Sequence, residues 1–199
     1  MPAISATRRS GPNRLLASSR AFRPIARRSG SNPQARFGPD VPVPSENYEI
    51  ELKSRWWDAN YFATYQIFFG SDSSFDNHYA VEVRINTGGD RRDCEYRLVR
   101  RTSTQTSIAS IESTKELQGW TSVEMHCGLR SEHSSANWNR WKIRREGSEI
   151  KIWLNDDRLG GTWQDSKFGA NRYFGVGCTL FEGFTPSKPE FDNWSVVLR

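Results

Sequence analysis

Two carboxylates placed two residues apart on an extended chain point to the same side, and Glu49-Ile50-Glu51 is where this sequence comes nearest to a pair of acids working on one bond. Lys53 and Arg55 continue the same side. Neighbouring cations lower a carboxylate pKa, whereas a general acid needs its value raised, so this face reads as a solvated charged surface. His78, His126 and His133 stand in no serine or cysteine nucleophile motif. His126 and Cys127 are adjacent, so on a strand they face opposite ways and cannot share a zinc ion. Hard oxygen ligands gather in two stretches, Asp72, Asp76 and Asn77 in one and Asn155, Asp156 and Asp157 in the other. Neither has the spacing of a defined calcium loop, and acidic loop tips are ordinarily solvated turns. No cofactor is expected, and calcium is the one ion for which ligands are at hand.

Aromatic side chains carry the positive signal. Of eight tryptophans, most belong in the core, because rings of this size dominate the interiors of β proteins. Two fall on polar faces. Trp153 alternates with Glu149 and Lys151, opposite Ile150, Ile152 and Leu154, and Trp57 follows Lys53 and Arg55, opposite Leu52 and Trp56. An outward indole beside amide and charged groups can stack on a sugar ring while its neighbours read the hydroxyls. Trp57, Trp153 and the Asn155 amide are therefore the candidate ligand-binding residues. The competing reading covers both indoles with a second layer or a long loop.

The elements that must position these groups are strands. YEIELKSRWW (48–57) places Tyr48, Ile50, Leu52 and Trp56 on one side and four charged residues on the other. YFATYQIFF (61–69) is aromatic on both sides, as in a central strand covered twice. HYAVEVRI (78–85) turns Tyr79, Val81, Val83 and Ile85 inward and His78, Glu82 and Arg84 outward, and its hairpin partner CEYRLVRR (94–101) turns Cys94, Tyr96 and Leu98 to one side. Residues 102–112 form an edge or outer strand, and 121–129 another with Val123, Met125, Cys127 and Leu129. NRWKIRREGSEIKIWLNDD (139–157) is a hairpin about Glu146-Gly147-Ser148, ending on turn residues and a loop through Gly160-Gly161. YFGVGCTLF (173–181) and EFDNWSVVL (190–198) close the chain. Nine or ten alternating strands without a sustained helical period predict an all-β protein, an antiparallel two-sheet β-sandwich.

That domain occupies residues 46–199. Before it, residues 1–45 hold seven of the nine prolines, and residues 1–39 carry eight arginines, no lysine and no acid. Such a segment cannot bury enough apolar surface to offset chain entropy, and a disordered N-terminal arm is expected. All 23 acids lie from Asp40 onward against 20 Lys and Arg, so the overall charge of +5 belongs to the arm. Arg91-Arg92, Arg100-Arg101 and Arg144-Arg145 split across strand faces, which leaves no basic stripe for specific nucleic-acid binding. The arm itself can touch acidic surfaces, and its acid-free, Arg- and Ser-containing composition also fits an organellar transit peptide. It lacks the apolar stretch of about 7 to 15 residues of a secretory signal, and no run approaches the roughly 18 apolar residues of a membrane span. A soluble protein follows, its compartment open between organelle, cytoplasm and exterior. Three cysteines make an odd number for a disulfide framework, and three free thiols are the favoured expectation, with one pair as the open alternative.

The order NWNRWKIRREGSEIKIWLND, YFGVGC, FDNWSVV resembles the laminin G-like members of the concanavalin A-like lectin and glucanase superfamily, most sharply from Asn137 to the C-terminus. The resemblance implies a jelly-roll sandwich, with Asn-Gly common where this chain has Asn155-Asp156. It identifies a fold more than a function. Glucanases of the fold carry Glu-x-Asp-x-x-Glu on one strand, and Glu49-Ile50-Glu51 runs into Leu52, Lys53 and Ser54 with no third acid. The leading expectation is a non-catalytic lectin-like module recognising carbohydrate or a glycosylated surface through Trp57 and Trp153. A structural or assembly subunit docking on a protein surface, with the basic arm threaded along it, stands second, and a glucanase-type glycoside hydrolase third.

Overall fold

The structure, a computed structural model, describes residues 14–16, 23–29, 32–38, 42–56, 64–86, 93–105, 110–123, 138–179 and 189–199. Three strands come from the arginine-rich segment: β1 (Arg14–Leu16), β2 (Arg23–Ser29) and β3 (Asn32–Gly38). Ten follow: β4 (Tyr48–Trp56), β5 (Thr64–Ser71), β6 (His78–Asn86), β7 (Asp93–Gln105), β8 (Ser110–Val123), β9 (Asn139–Glu146), β10 (Glu149–Leu154), β11 (Asp157–Gln164), β12 (Tyr173–Thr179) and β13 (Pro189–Leu198). They make two antiparallel sheets. Sheet A has the body order β13-β4-β9-β10-β11 with β1 beside β13, and sheet B the body order β12-β5-β6-β7-β8 with the β2–β3 pair beside β12. The rest of residues 1–41 lies outside the described set.

Alternation dictates the layers. Tyr48, Ile50 and Leu52 of β4, Trp141 and Ile143 of β9, and Ile150, Ile152 and Leu154 of β10 face across to Tyr65, Ile67, Phe69, Tyr79, Val81, Val83, Tyr96 and Leu98 of sheet B, all buried in one core. Such side chains contribute roughly 1.5–3 kcal/mol each by leaving water. Strand β5 is covered on both faces, as its aromatic run predicts, and Phe68 on its far side packs with Phe75, Ala80 and Val99 in a smaller cluster. A polar triangle sits within the core: Trp141 Nε1 donates to Ser54 Oγ at 3.0 Å and to Tyr65 Oη at 3.2 Å, and those two hydroxyls lie 3.0 Å apart. Every buried polar atom of the three is thereby paired.

Several expectations need correction. Gly160-Gly161 is not a connecting loop but part of β11, where Ile150 pairs with Trp163 while Ile152 pairs with Leu159, so extra residues bulge out of the strand. Gly160 adopts φ +55° there, and a Cβ would come within 2.8 Å of the Trp163 ring. The glycine gives the indole room to fold back over the edge strand. In β7 and β8 the chain runs longer than its pattern indicates, through Gln105 and again from Ser110, and β8 ends at Val123; Met125, Cys127 and Leu129 lie outside the described residues. His78 and Glu82 do face away from the core, yet both are buried. Three free thiols is also wrong: Cys94 is in a disulfide, while Cys178 keeps its thiol. Alternation reports which face a cysteine takes, not which sulfur it meets.

A second bulge explains FDNW. Asp192 pairs with Lys53 and Ser195 with Glu51, so β13 carries one residue more than β4 over that interval, with Asn193 at φ +54°. The extra residue lets Phe191, Trp194 and Val196 all pack on the core.

Candidate ligand-binding face

The outer face of sheet A is built by the same alternation that builds the core. Glu49, Glu51, Lys53 and Arg55 come from β4, Arg140, Lys142 and Arg144 from β9, and Glu149, Lys151 and Trp153 from β10. In register, Glu49 stands beside Arg144 and Arg144 beside Lys151, while Glu51 stands beside Lys142 and Lys142 beside Trp153. Arg158 of β11 flanks Trp153 on its other side.

Cross-strand charge pairs hold this face in place. Arg144 binds Glu49 through Nη2 at 2.7 Å and Nε at 2.8 Å, and Arg199 reaches the other oxygen at 2.9 Å. Lys151 lies 2.8 Å from Glu149 and 3.1 Å from Glu146, and Lys142 lies 3.8 Å from Glu51. Burial alone would raise the Glu49 pKa, but hydrogen bonds and charge from Arg144 and Arg199 outweigh it and hold the carboxyl below its usual range. It stays ionised, the opposite of what a general acid requires. Lys151 likewise holds Glu149 low.

Trp153 sits half-buried within this lattice, with the Arg144 guanidinium 5.2 Å and the Lys142 ammonium 5.9 Å from its ring centre. Both cations are anchored by carboxylates, so the indole is held among fixed donors and acceptors. The arrangement can stack on a flat apolar ring face and offer hydrogen bonds around its rim.

Of the other candidates, Trp57 lies outside the described residues. Asn155 and Asp156 form the two-residue turn between β10 and β11 with φ +51° and +75°, a type I′ hairpin made without glycine. Asn155 Oδ1 accepts the Arg140 amide at 2.8 Å and its own amide donates to the Arg140 carbonyl at 2.8 Å, which ties the turn to the start of β9. Asp156 is paired with the Arg140 guanidinium, and Asp157 opens β11 opposite Leu154. In the other loop, the Asp72 carboxylate accepts from Ser74 Oγ, the Asp76 amide, the Asn77 amide and Asn77 Nδ2 at 2.7 to 3.2 Å. Four donors occupy its acceptor capacity and fold the loop around it, leaving no lone pair for a cation. Asn77 Oδ1 meanwhile accepts the Ser103 amide at 3.1 Å. Among the described residues, no three His, Cys, Asp or Glu side chains gather as a metal site.

Sequence reasoning missed a second aromatic position, Trp120 on β8. It lies half-buried under Arg84 and Arg97, whose guanidinium carbons are 4.0 and 4.6 Å from its ring centre. Beside it, buried Glu82 receives Arg97 Nε at 2.7 Å and Arg101 Nε at 2.9 Å, and Arg84 binds Glu95 at 2.8 Å. Gly175 and Gly177 register beside Phe68 and Gln66 on the same side of sheet B. Two register shifts between β7 and β8 break the period around Trp120, so no clean alternation could have placed it. The outward Arg84 was the only signal. The guanidiniums of Arg84 and Arg97 lie closer to the Trp120 ring than the cations near Trp153 lie to theirs.

No protein-family model matches the chain, and no curated protein sequence does. Solved structures do. The chain is similar to part of a xylan β-1,4-xylosidase from Bacillus halodurans, with a TM-score of 0.54 at 10% identity, over 82% of this chain but only 30% of that one. It is also similar to a carbohydrate-binding module from Bacillus subtilis, with a TM-score of 0.46 at 12% identity over 93% and 95% of the two chains. The catalytic domain of a laminarinase from Thermotoga petrophila aligns with a TM-score of 0.47 at 10% identity over 83% and 68%. At these identities the likeness, resting on the xylosidase alignment, shows the fold alone.

Proposed function

We propose that this chain is a non-catalytic, lectin-like module of laminin G type that binds carbohydrate, free or on a glycosylated surface, through the outer face of sheet A. The observation that carries the reading is Trp153, a half-exposed indole beside cations that Glu49 and Glu51 hold in place. Sugar rings present an apolar face ringed by hydroxyls, and this surface offers the complement of both. The likeness to part of a xylosidase carries fold alone; the indole carries function. Glu49 is not suited to be a general acid, because two arginines keep it ionised.

A glycan array with the wild-type chain and Trp153→Ala tests the proposal. Binding by the wild type that falls at least tenfold in the variant is expected. An array without any bound glycan, or equal binding by both proteins, removes the reading. Hydrolysis of a β-glucan that disappears in Glu51→Gln would replace it with a glycosidase.

A further inference from the structure

The inner face of β9 buries an arginine. Arg145 follows Trp141 and Ile143 on the core side of the strand and is 1% exposed, registered between Tyr48 of β4 and Ile150 of β10. Its Nε donates to the Gly147 carbonyl at 3.1 Å, and its guanidinium carbon lies 5.1 Å from the centre of the Tyr79 ring. Neither Nη1 nor Nη2 finds a close acceptor among the described residues; the buried Tyr48 hydroxyl stands beside the guanidinium and the Gly70 amide and feels both, but it carries no charge. From the opposing sheet, Gly70 closes on the group at φ +54°, and a Cβ built there would collide with Arg145 Nη1.

A guanidinium cannot shed its charge in a protein, so burial without a counter-charge is costly. Among the described residues there is none on hand. Asp165, at the hydroxyl end of Tyr79, is committed: Oδ1 accepts Tyr79 Oη at 2.7 Å and the Lys167 amide at 2.9 Å, and Oδ2 accepts Arg100 at 2.5 Å. Tyr48 does not ionise to balance the charge, because burial holds its phenol above the ordinary value despite Arg145 beside it. The Tyr79 ring face offsets part of the cost. What the group lacks is a negatively charged acceptor, and the close approach of Gly70 limits its size.

We infer that Arg145 and Tyr48, closed over by Gly70, form a binding site for a monatomic anion, chloride in ordinary buffers, lodged between the two sheets. The site is separate from the Trp153 face and stands or falls independently of carbohydrate binding. Its role is to complete the core at this end of the sandwich, so the folded state binds the anion and the unfolded chain does not.

Thermal unfolding of the full chain at constant ionic strength, with gluconate exchanged for chloride, tests the site. The wild-type midpoint should rise by roughly 5 °C and saturate, as ligand linkage requires. Arg145→Met should lose the response, and Tyr48→Phe, which keeps the ring, should need several-fold more chloride to reach half of it. Should Arg145→Met not fold, the Tyr48→Phe shift and an anomalous bromide peak beside Arg145 in crystals grown with bromide still decide. A midpoint indifferent to chloride, an equal response in either variant, or a bromide-grown crystal without that peak overturns the inference.

Discussion

Arg144 holds Glu49 on one side and lies 5.2 Å from the centre of the Trp153 indole on the other, so one guanidinium joins the charge lattice of β4 to the aromatic group of β10. This is a consequence of register: Glu49, Arg144 and Lys151 are successive partners across three strands, and Trp153 is two residues beyond Lys151 on the same face. The indole and its polar surroundings therefore come as a unit. Arg144→Ala should weaken glycan binding by several-fold while leaving the fold intact, because it removes both the anchor of Glu49 and the cation beside the ring. Titration calorimetry against the best array glycan reads the affinity, and circular dichroism checks the fold.

The turn at Asn155-Asp156 makes a prediction of the opposite sign. Asp156 sits at φ +75°, where L side chains are strained by about 1–2 kcal/mol, somewhat less for Asp, and glycine is not. Its ion pair with Arg140 is exposed on both sides and contributes little. Asp156→Gly should stabilise the protein by about 0.5 kcal/mol, read as a higher urea midpoint with an unchanged slope. Asn155→Ala should destabilise it by about 1 kcal/mol, since the Arg140 amide loses its acceptor.

In the core, Trp141→Phe keeps most of the ring but removes the donor shared by Ser54 and Tyr65. A loss of about 1–3 kcal/mol is expected from urea unfolding. Trp141→Phe combined with Ser54→Ala should cost less than the sum of the two single changes, because the two residues share one polar network.

Acid should loosen the molecule through two carboxylates. Glu49 is held below its ordinary 4.5, against the raising effect of burial, by Arg144 and Arg199; Asp165 is held below 3.8, again against burial, by the Lys167 amide, Tyr79 and the charges of Arg100 and Lys115. For groups depressed by folding, the stabilisation is complete above the unfolded pKa and is lost as pH falls through the folded one. Stability should therefore hold at neutral pH and decline below about pH 4.5, and Glu49→Gln should lower it at pH 7 while flattening the acid limb of the curve. An acid limb with the same slope in both proteins would contradict the assignment.

What the sequence made legible follows from where period 2 runs unbroken. Strands β4, β9 and β10 alternate without interruption, so the pattern alone turns Ile50, Trp141, Ile143 and Ile152 inward and Trp153 outward, and the fold follows. Bulges ended that legibility. The added residues near Gly160 made a strand look like a loop, and the shifts opposite Leu98 hid Trp120. Burial on the far face of sheet B was equally hidden, since nothing in HYAVEVRI tells that Glu82 will be enclosed by Arg97 and Arg101 from β7. The cysteines failed for a different reason: pairing depends on distance across the fold, which no local pattern carries.

The most direct test of the account is calorimetric titration of a soluble oligosaccharide, chosen from the array, into the wild-type chain and Trp153→Ala, with tryptophan fluorescence followed in parallel. Saturable binding with a change in indole emission is expected for the wild type, and loss of both in the variant at an unchanged melting temperature. Undiminished affinity in a folded Trp153→Ala protein would contradict it.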